Sequence, residues 1–247
     1  MIDLHCHILP EVDDGAASEE ESCLMARMAA DSGITALAAT PHCGVPGQFE
    51  NFAGESLLEK FHEFEQLLER ERILLRLYTG MEVFVTDKTP RYLREGRLLT
   101  LGGSRYLLVE FGFDEEADFA ERMLGELLEA GVVPVVAHPE RYHFIQPQPE
   151  RLLRWVEMGC AMQVNKGSLL GRFGRRAART AHWCLGEGCV HLLGSDAHSP
   201  WRRTPRMEEA WAYTADFASP EIADFLLRDN PRRILEDQPI RPVLAEF

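Results

Sequence analysis

The sequence predicts an α/β fold, a parallel sheet or barrel built as one domain over residues 1–247. Three observations carry this. Short apolar runs alternate with amphipathic helical patterns along the whole chain. No Pro/Gly/Ser-rich linker, internal repeat or low-complexity segment interrupts the alternation. Polar residues of metal-ligating type stand at the ends of nearly all the apolar runs.

The elements follow in order. Met1–Leu4 reads as a strand that starts at once. Ser18-Glu-Glu-Glu21 has capping-box spacing and opens a helix to about Asp31, which Gly33 stops. Ile34–Thr40 is β-rich, Glu55–Arg72 a charged helix, Leu74–Tyr78 a strand before Gly80, and Tyr106–Phe111 another strand. A helix at Asp118–Ala130, closed by Gly131, precedes the buried-type strand Val132–Ala137. Pro149–Met158 is a helix with proline in its first turn, closed by Gly159. Ala161–Val164 and Val190–Leu193 are strands flanking the helix Arg175–Gly186. Helices at about Met207–Phe217 and Glu221–Arg228 follow, for about seven strands in all.

Composition narrows the function. The chain of 247 residues is 45% hydrophobic and 27% charged, the balance of a soluble globular domain long enough to bury a full core. The formal net charge is −14, from 40 acidic and 26 basic residues, so a polyanion meets repulsion and nucleic-acid binding is not expected. No apolar run approaches the ~18 residues of a membrane helix, and Asp3 and His5 stand where a leader would begin. Six cysteines without a CxxC pair or regular spacing read as small buried residues of a cytoplasmic protein.

The residues at strand ends are His5, His7, His42, Glu82, Glu110, His138, Asn165, Asp196 and His198, with Asp13-Asp14-Gly15 next to the first strand. In a parallel barrel these ends converge on one face, which carries the active site. His5 and His7 share a face of their strand, ~7 Å apart along it, while Cys6 points away into packing. Asp196 and His198 repeat the spacing. The expected metal ligands are His5, His7, Asp14, His42, Glu82, Glu110, His138, Asp196 and His198. Asn165 is expected to hydrogen-bond a ligand and Asp13 to serve the turn. His62, His182 and His191 read as structural or solvated, and His143 stays open.

Mixed imidazole and carboxylate ligands suit manganese, iron or zinc. Nine ligands exceed one ion's needs, and four carboxylates nearly balance two divalent ions; a third ion leaves net charge to attract an anion. Two or three divalent ions are therefore expected, with three preferred. Such clusters serve hydrolysis by a bridging hydroxide. Arg141, in His138-Pro-Glu-Arg141, and Arg203, five residues past His198, are placed to bind phosphoryl oxygens. The loop Gly44–Gly54 offers Phe49 and Phe52 to flank a substrate ring, or for ordinary packing. A Cys-x5-Arg loop, a G-x-S-x-G elbow, a GxxxxGK[ST] loop and a GxGxxG motif are all missing.

Ile2-Asp3-Leu4-His5-Cys6-His7-Ile8-Leu9-Pro10 with Val12-Asp13-Asp14-Gly15 resembles the opening of the PHP (polymerase and histidinol phosphatase) superfamily. Ala39-Thr40-Pro41-His42, Gly47-Gln48-Phe49-Glu50-Asn51, Leu107-Leu108-Val109-Glu110, Ala137-His138-Pro139-Glu140-Arg141 and Ser195-Asp196-Ala197-His198 extend the likeness to the manganese-dependent tyrosine-protein phosphatases found with bacterial capsule and exopolysaccharide genes. The resemblance implies a distorted (β/α)7 PHP-type barrel and a trinuclear manganese site on the nine ligands above. It also implies phosphate-binding Arg141 and Arg203, and as partner an autophosphorylating tyrosine kinase of polysaccharide export. Three other functions remain to be weighed: a small-molecule phosphatase of the histidinol-phosphatase type, an amidohydrolase, and a silent phosphotyrosine-binding module. Amidohydrolase sites commonly use a strand-end lysine, and this chain has Glu82 or Glu110 there.

Overall fold

The computed structural model describes residues 1–241 and 243. Among the described residues nine short strands form: β1 (Ile2–Cys6), β2 (Ala36–Ala39), β3 (His42–Cys43), β4 (Arg76–Thr79), β5 (Glu82–Phe84), β6 (Tyr106–Glu110), β7 (Val133–Ala137), β8 (Ala161–Asn165) and β9 (Leu192–Gly194). All pairings are parallel, in the orders β1-β2-β4 and β3-β5-β6-β7-β8-β9. In space the nine make seven strand positions. Thr40-Pro41 divides β2 from β3, because proline cannot donate to the ladder. Gly80-Met81 divides β4 from β5 beside it, and the Glu82 amide donates to Pro41 O across the gap (3.0 Å). The ring closes between β1 and β9, where the Asp196 amide donates to His5 O and the His7 amide to Ala197 O, both at 2.9 Å. The expected seven-fold barrel is thus present, with two of its strands kinked.

Alternation along the strands sorts the core. Leu107, Val109, Val136, Met162, Val164 and Leu193 face the helices and join the large outer core with Met25, Phe64, Leu124 and Trp155. Leu108, Val135, Ala137, Ala161 and Leu192 face inward and meet Leu4, Ala38 and Tyr106, with Leu101 and Ile234 alongside. The inward columns turn polar at their upper ends, where Glu110 follows Leu108 and Gln163 and Asn165 follow Ala161.

On β1, strict alternation would place Leu4 and His5 on opposite faces. The ladder to β2 slips instead: Asp3 pairs with Leu37 and Cys6 with Ala39, so two residues of β1, Leu4 and His5, stand opposite one of β2, Ala38. This bulge lets Leu4 fill the floor while His5 and His7 enter the pocket above it. Asp3, fully buried, serves the bulge, its Oδ1 accepting from the amides of His5 (3.2 Å) and Ser195 (3.1 Å).

Helices α1 (Glu19–Asp31), α2 (Glu55–Arg70), α3 (Thr89–Arg94), α4 (Ala117–Glu129), α5 (Arg151–Met158), α6 (Lys166–Leu169), α7 (Arg175–Gly186), α8 (Glu208–Phe217), α9 (Pro220–Asp224) and α10 (Asn230–Leu235) complete the fold. At the start of α1 the Ser18 hydroxyl accepts from the Glu21 amide, while Glu21 reaches back to the amide of Ala17, one residue short of a full capping box. The helix expected at Glu221–Arg228 is α9 followed by a π-type turn, Phe225–Asp229, that leads into α10. No helix among the described residues is long and apolar enough to cross a membrane.

Candidate functional site

The pocket at the carboxyl ends of the strands is built around Glu82. The sequence reading found this residue but not its strand, since β5 is three residues long. Its carboxylate is wholly buried and stands 3.2 Å from each of His5 Nε2, His7 Nε2 and His42 Nδ1, and 2.8 Å from His138 Nε2. Asp196 lies 3.5 Å from His5, and Glu110 lies 3.0 Å from His42. Asp14, half-exposed at the mouth, is 3.5 Å from both His42 and His198. All nine expected ligands therefore converge.

Three sets of ligand atoms fall within 4.8 Å of one another: His7, Asp14, His42 and His198; His5, His7, Glu82 and Asp196; and His42, Glu82 and Glu110. The sets share His7, His42 and Glu82, and of these Glu82, with two carboxylate oxygens, is the one able to serve two neighbouring ions. His138 joins through Glu82. The donor set fits hard to borderline divalent cations. Buried Glu82 Oε2 lacks a well-aligned hydrogen-bond donor, as a carboxylate oxygen turned toward a cation would.

Electrostatics agree with the geometry. Burial pushes the His5 pKa down, but Glu82 and Asp196 outweigh it and raise it above the usual imidazole range. His7 is raised further; burial is again opposed, here chiefly by Asp13. Despite its burial, Glu82 is held well below the carboxylate range by His5 and by hydrogen bonds from the surrounding imidazoles. His198 is the contrast, pushed down to about 4 by burial and the neighbouring His7, so it stays neutral with a lone pair to offer.

Supporting residues fix the imidazoles. His5 Nδ1–H donates to Gln163 Oε1 (2.6 Å), which leaves Nε2 free toward the pocket. Gln163 Nε2 donates to Asn165 Oδ1 (2.9 Å), and Asn165 Nδ2 donates to Asp196 Oδ2 (2.5 Å). A Cβ on Gly194 would stand 2.7 Å from Gln163 Nε2, so glycine leaves room for this chain of bonds. Gln163 was missed by sequence reading; the signal was its position two before Asn165 on an inward column. Buried Glu140, accepting from the Asn165 amide (3.1 Å), was also missed.

Asp13 does more than form a turn. Its Oδ2 accepts from His7 Nδ1–H (2.7 Å) and the His42 amide (2.8 Å), and its Oδ1 accepts from the Gly15 amide (2.9 Å). Burial alone would raise its pKa, yet His7 and these amides hold it well below the carboxylate range. An asparagine has one acceptor oxygen for these three donors. Asp13→Asn is expected to lower metal affinity by about 10- to 100-fold, read by metal titration of the purified variant.

The two arginines meet at Asp196. Arg141 donates to Oδ2 (3.1 Å), while Arg203 contacts Oδ1 and donates through Nε to Asp196 O (3.0 Å). An anion held between them would sit beside Asp196. His138 (φ 37°) and Asp196 (φ 49°) adopt the left-handed region, where non-glycine backbone is strained and which recurs at functional sites. Phe49 stacks on His42, ring centroids 5.8 Å apart. Phe52 turns from the pocket to Tyr92 and Arg97, so of the two alternatives for the loop Gly44–Gly54 ordinary packing holds for Phe52. His143 pairs with Asp114 at the surface, His62 and Gln66 bond on exposed α2, His182 bonds Leu169 O and Tyr213, and buried His191 accepts from the Met162 amide.

Fold and site together define a parallel α/β barrel with a histidine- and carboxylate-lined pocket at its carboxyl end. The chain belongs to the CpsB/CapC family of capsular polysaccharide synthesis, which matches residues 1–236. It is 35% identical over 241 residues to tyrosine-protein phosphatase YwqE of Bacillus subtilis, covering 97% of this chain and 93% of that one. It is 31% identical to tyrosine-protein phosphatase CpsB of Streptococcus pneumoniae, covering 96% and 99%. A crystal structure from work on those two proteins, described as unique metal-dependent tyrosine phosphatases, superimposes with a TM-score of 0.91 at 34% identity over 98% of this chain and 97% of that one. The phosphotriesterase homology protein of Escherichia coli shares the fold, with a TM-score of 0.63 at 10% identity over 95% and 98%.

Proposed function

We propose that this chain is a metal-dependent protein-tyrosine phosphatase, acting as a single domain in the cytoplasm on an autophosphorylating tyrosine kinase of polysaccharide export. The observation that carries the reading is the trio of overlapping ligand sets beside two convergent guanidinia. Three sets match three divalent ions, or two at partial loading, with manganese favoured over iron or zinc. The ligands are His5, His7, Asp14, His42, Glu82, Glu110, His138, Asp196 and His198, and the phosphoryl-binding residues are Arg141 and Arg203. Six free cysteines, five of them buried, agree with a reducing compartment.

When bound, divalent ions supply a water of lowered pKa and positive charge facing the phosphoryl oxygens. The chain's residues do the rest. Gln163 and Asp13 fix the tautomers of His5 and His7, so Nε2 of each presents its lone pair. Asn165 holds Asp196 in place. Arg141 and Arg203 take the phosphoryl oxygens in a forked geometry and neutralise charge that grows in the transition state. A tyrosine phenolate, of pKa about 10, leaves without a dedicated general acid.

The test is hydrolysis of a phosphotyrosyl peptide and of histidinol phosphate with and without added Mn²⁺. The peptide is expected to be cleaved with the higher kcat/KM, and only with metal. A preference for histidinol phosphate supports the small-molecule reading. Binding of the peptide without turnover in Mn²⁺ supports a silent module.

A further inference from the structure

Beside Arg141 lies a cavity of about 200 Å³ whose walls include Phe113, Arg141, Phe173 and Ala177. Both phenylalanines stack on one guanidinium: the Arg141 guanidinium carbon is 4.9 Å from the ring centroid of Phe113 and 4.4 Å from that of Phe173. The Phe173 ring also lies 5.8 Å from the Arg203 guanidinium carbon. Phe113 is 39% exposed, a large aromatic kept at the surface next to an anion-binding group. The backbone is shaped to seat the second ring. A Cβ on Gly167 would stand 2.6 Å from Phe173 Cε2, so only glycine there leaves the ring where it is.

We propose that this cavity is the subsite for the phenyl ring of an aryl phosphomonoester, with Phe113 and Phe173 as the residues that select aryl over alkyl phosphates. The assignment rests on the phosphatase reading above. The physical reason is direct. A flat ring entering beside Arg141 meets both aromatic side chains in the cavity wall and gains ring–ring contact that an alkyl chain cannot. The same rings hold the guanidinium by its face and leave its N–H edge for phosphoryl oxygens. At about 200 Å³ the cavity has room for one phenyl ring.

The test uses two non-hydrolysable ligands with the same charged head, phenylphosphonate and methylphosphonate, titrated calorimetrically into the Mn²⁺-loaded full chain. Phe113→Leu and Phe173→Leu keep apolar bulk and remove a ring. Each is expected to weaken phenylphosphonate about five- to tenfold and methylphosphonate less than about twofold. Phe173→Tyr restores the difference. Gly167→Ala, which displaces the ring, behaves as Phe173→Leu, and the double variant loses no more than either. Equal losses for both phosphonates would mean that the rings only position Arg141, and no loss would mean that the ring lies elsewhere; either overturns the subsite alone. A wild-type chain that binds neither phosphonate overturns the phosphatase reading, and the subsite with it.

Discussion

Asp196→Asn lowers kcat/KM on a phosphotyrosyl peptide by about 10³-fold or more, because the loss of a direct cation ligand removes several kcal/mol of transition-state stabilisation. The expectation rests on how many partners share this one carboxylate. Its oxygens face His5 and His198, accept from Asn165 Nδ2, and receive both Arg141 and Arg203. Asparagine keeps the shape and removes the charge. Arg141 and Arg203 are then cations without an anion, and the set His5, His7, Glu82 and Asp196 loses one of its two acids. Metal content is expected to fall in the same preparation, measured by elemental analysis beside the assay. A variant that turns over at the normal rate contradicts the account. One that is inactive but fully loaded assigns Asp196 to the arginines alone.

The second large effect concerns the arginines themselves. Arg141→Ala and Arg203→Ala are each expected to cost about 10²- to 10³-fold in kcat/KM while metal content stays near normal. That split separates charge neutralisation from metal holding. The two losses should not add, since both guanidinia meet at Asp196 and share one anion. Arg203→Lys should recover little, because an ammonium cannot reproduce the fork that binds two oxygens at once. Steady-state kinetics on the peptide, with elemental analysis of each variant, checks the pair. An arginine variant with normal kcat/KM removes that residue from the site.

Much of this site was legible in the sequence because a parallel barrel makes the ends of its strands neighbours. Residues as distant as His5 and His198 could be placed together without knowing any contact. What was illegible is where the regular periods break. Nothing in Ile2-Asp3-Leu4-His5 announces the bulge that turns both Leu4 and His5 inward; the buried Asp3 that satisfies it reads as a surface acid. Pro41 and Gly80 mark the two kinks only in retrospect, and β5 is too short for any periodic signal. Gln163, Glu140 and the wider role of Asp13 escaped because they act by holding a ligand, through hydrogen bonds that only three-dimensional neighbours reveal. The rings of Phe113 and Phe173 reach Arg141 from separate loops, and no spacing in the chain links them.

Anomalous diffraction from crystals of the Mn²⁺-loaded chain would locate the bound ions among these ligands. More than one peak is expected, three at full loading, spaced about 3.5–4 Å apart with Glu82 between them. A single peak, or peaks that leave Glu82 and Asp196 without a metal, would contradict that expectation.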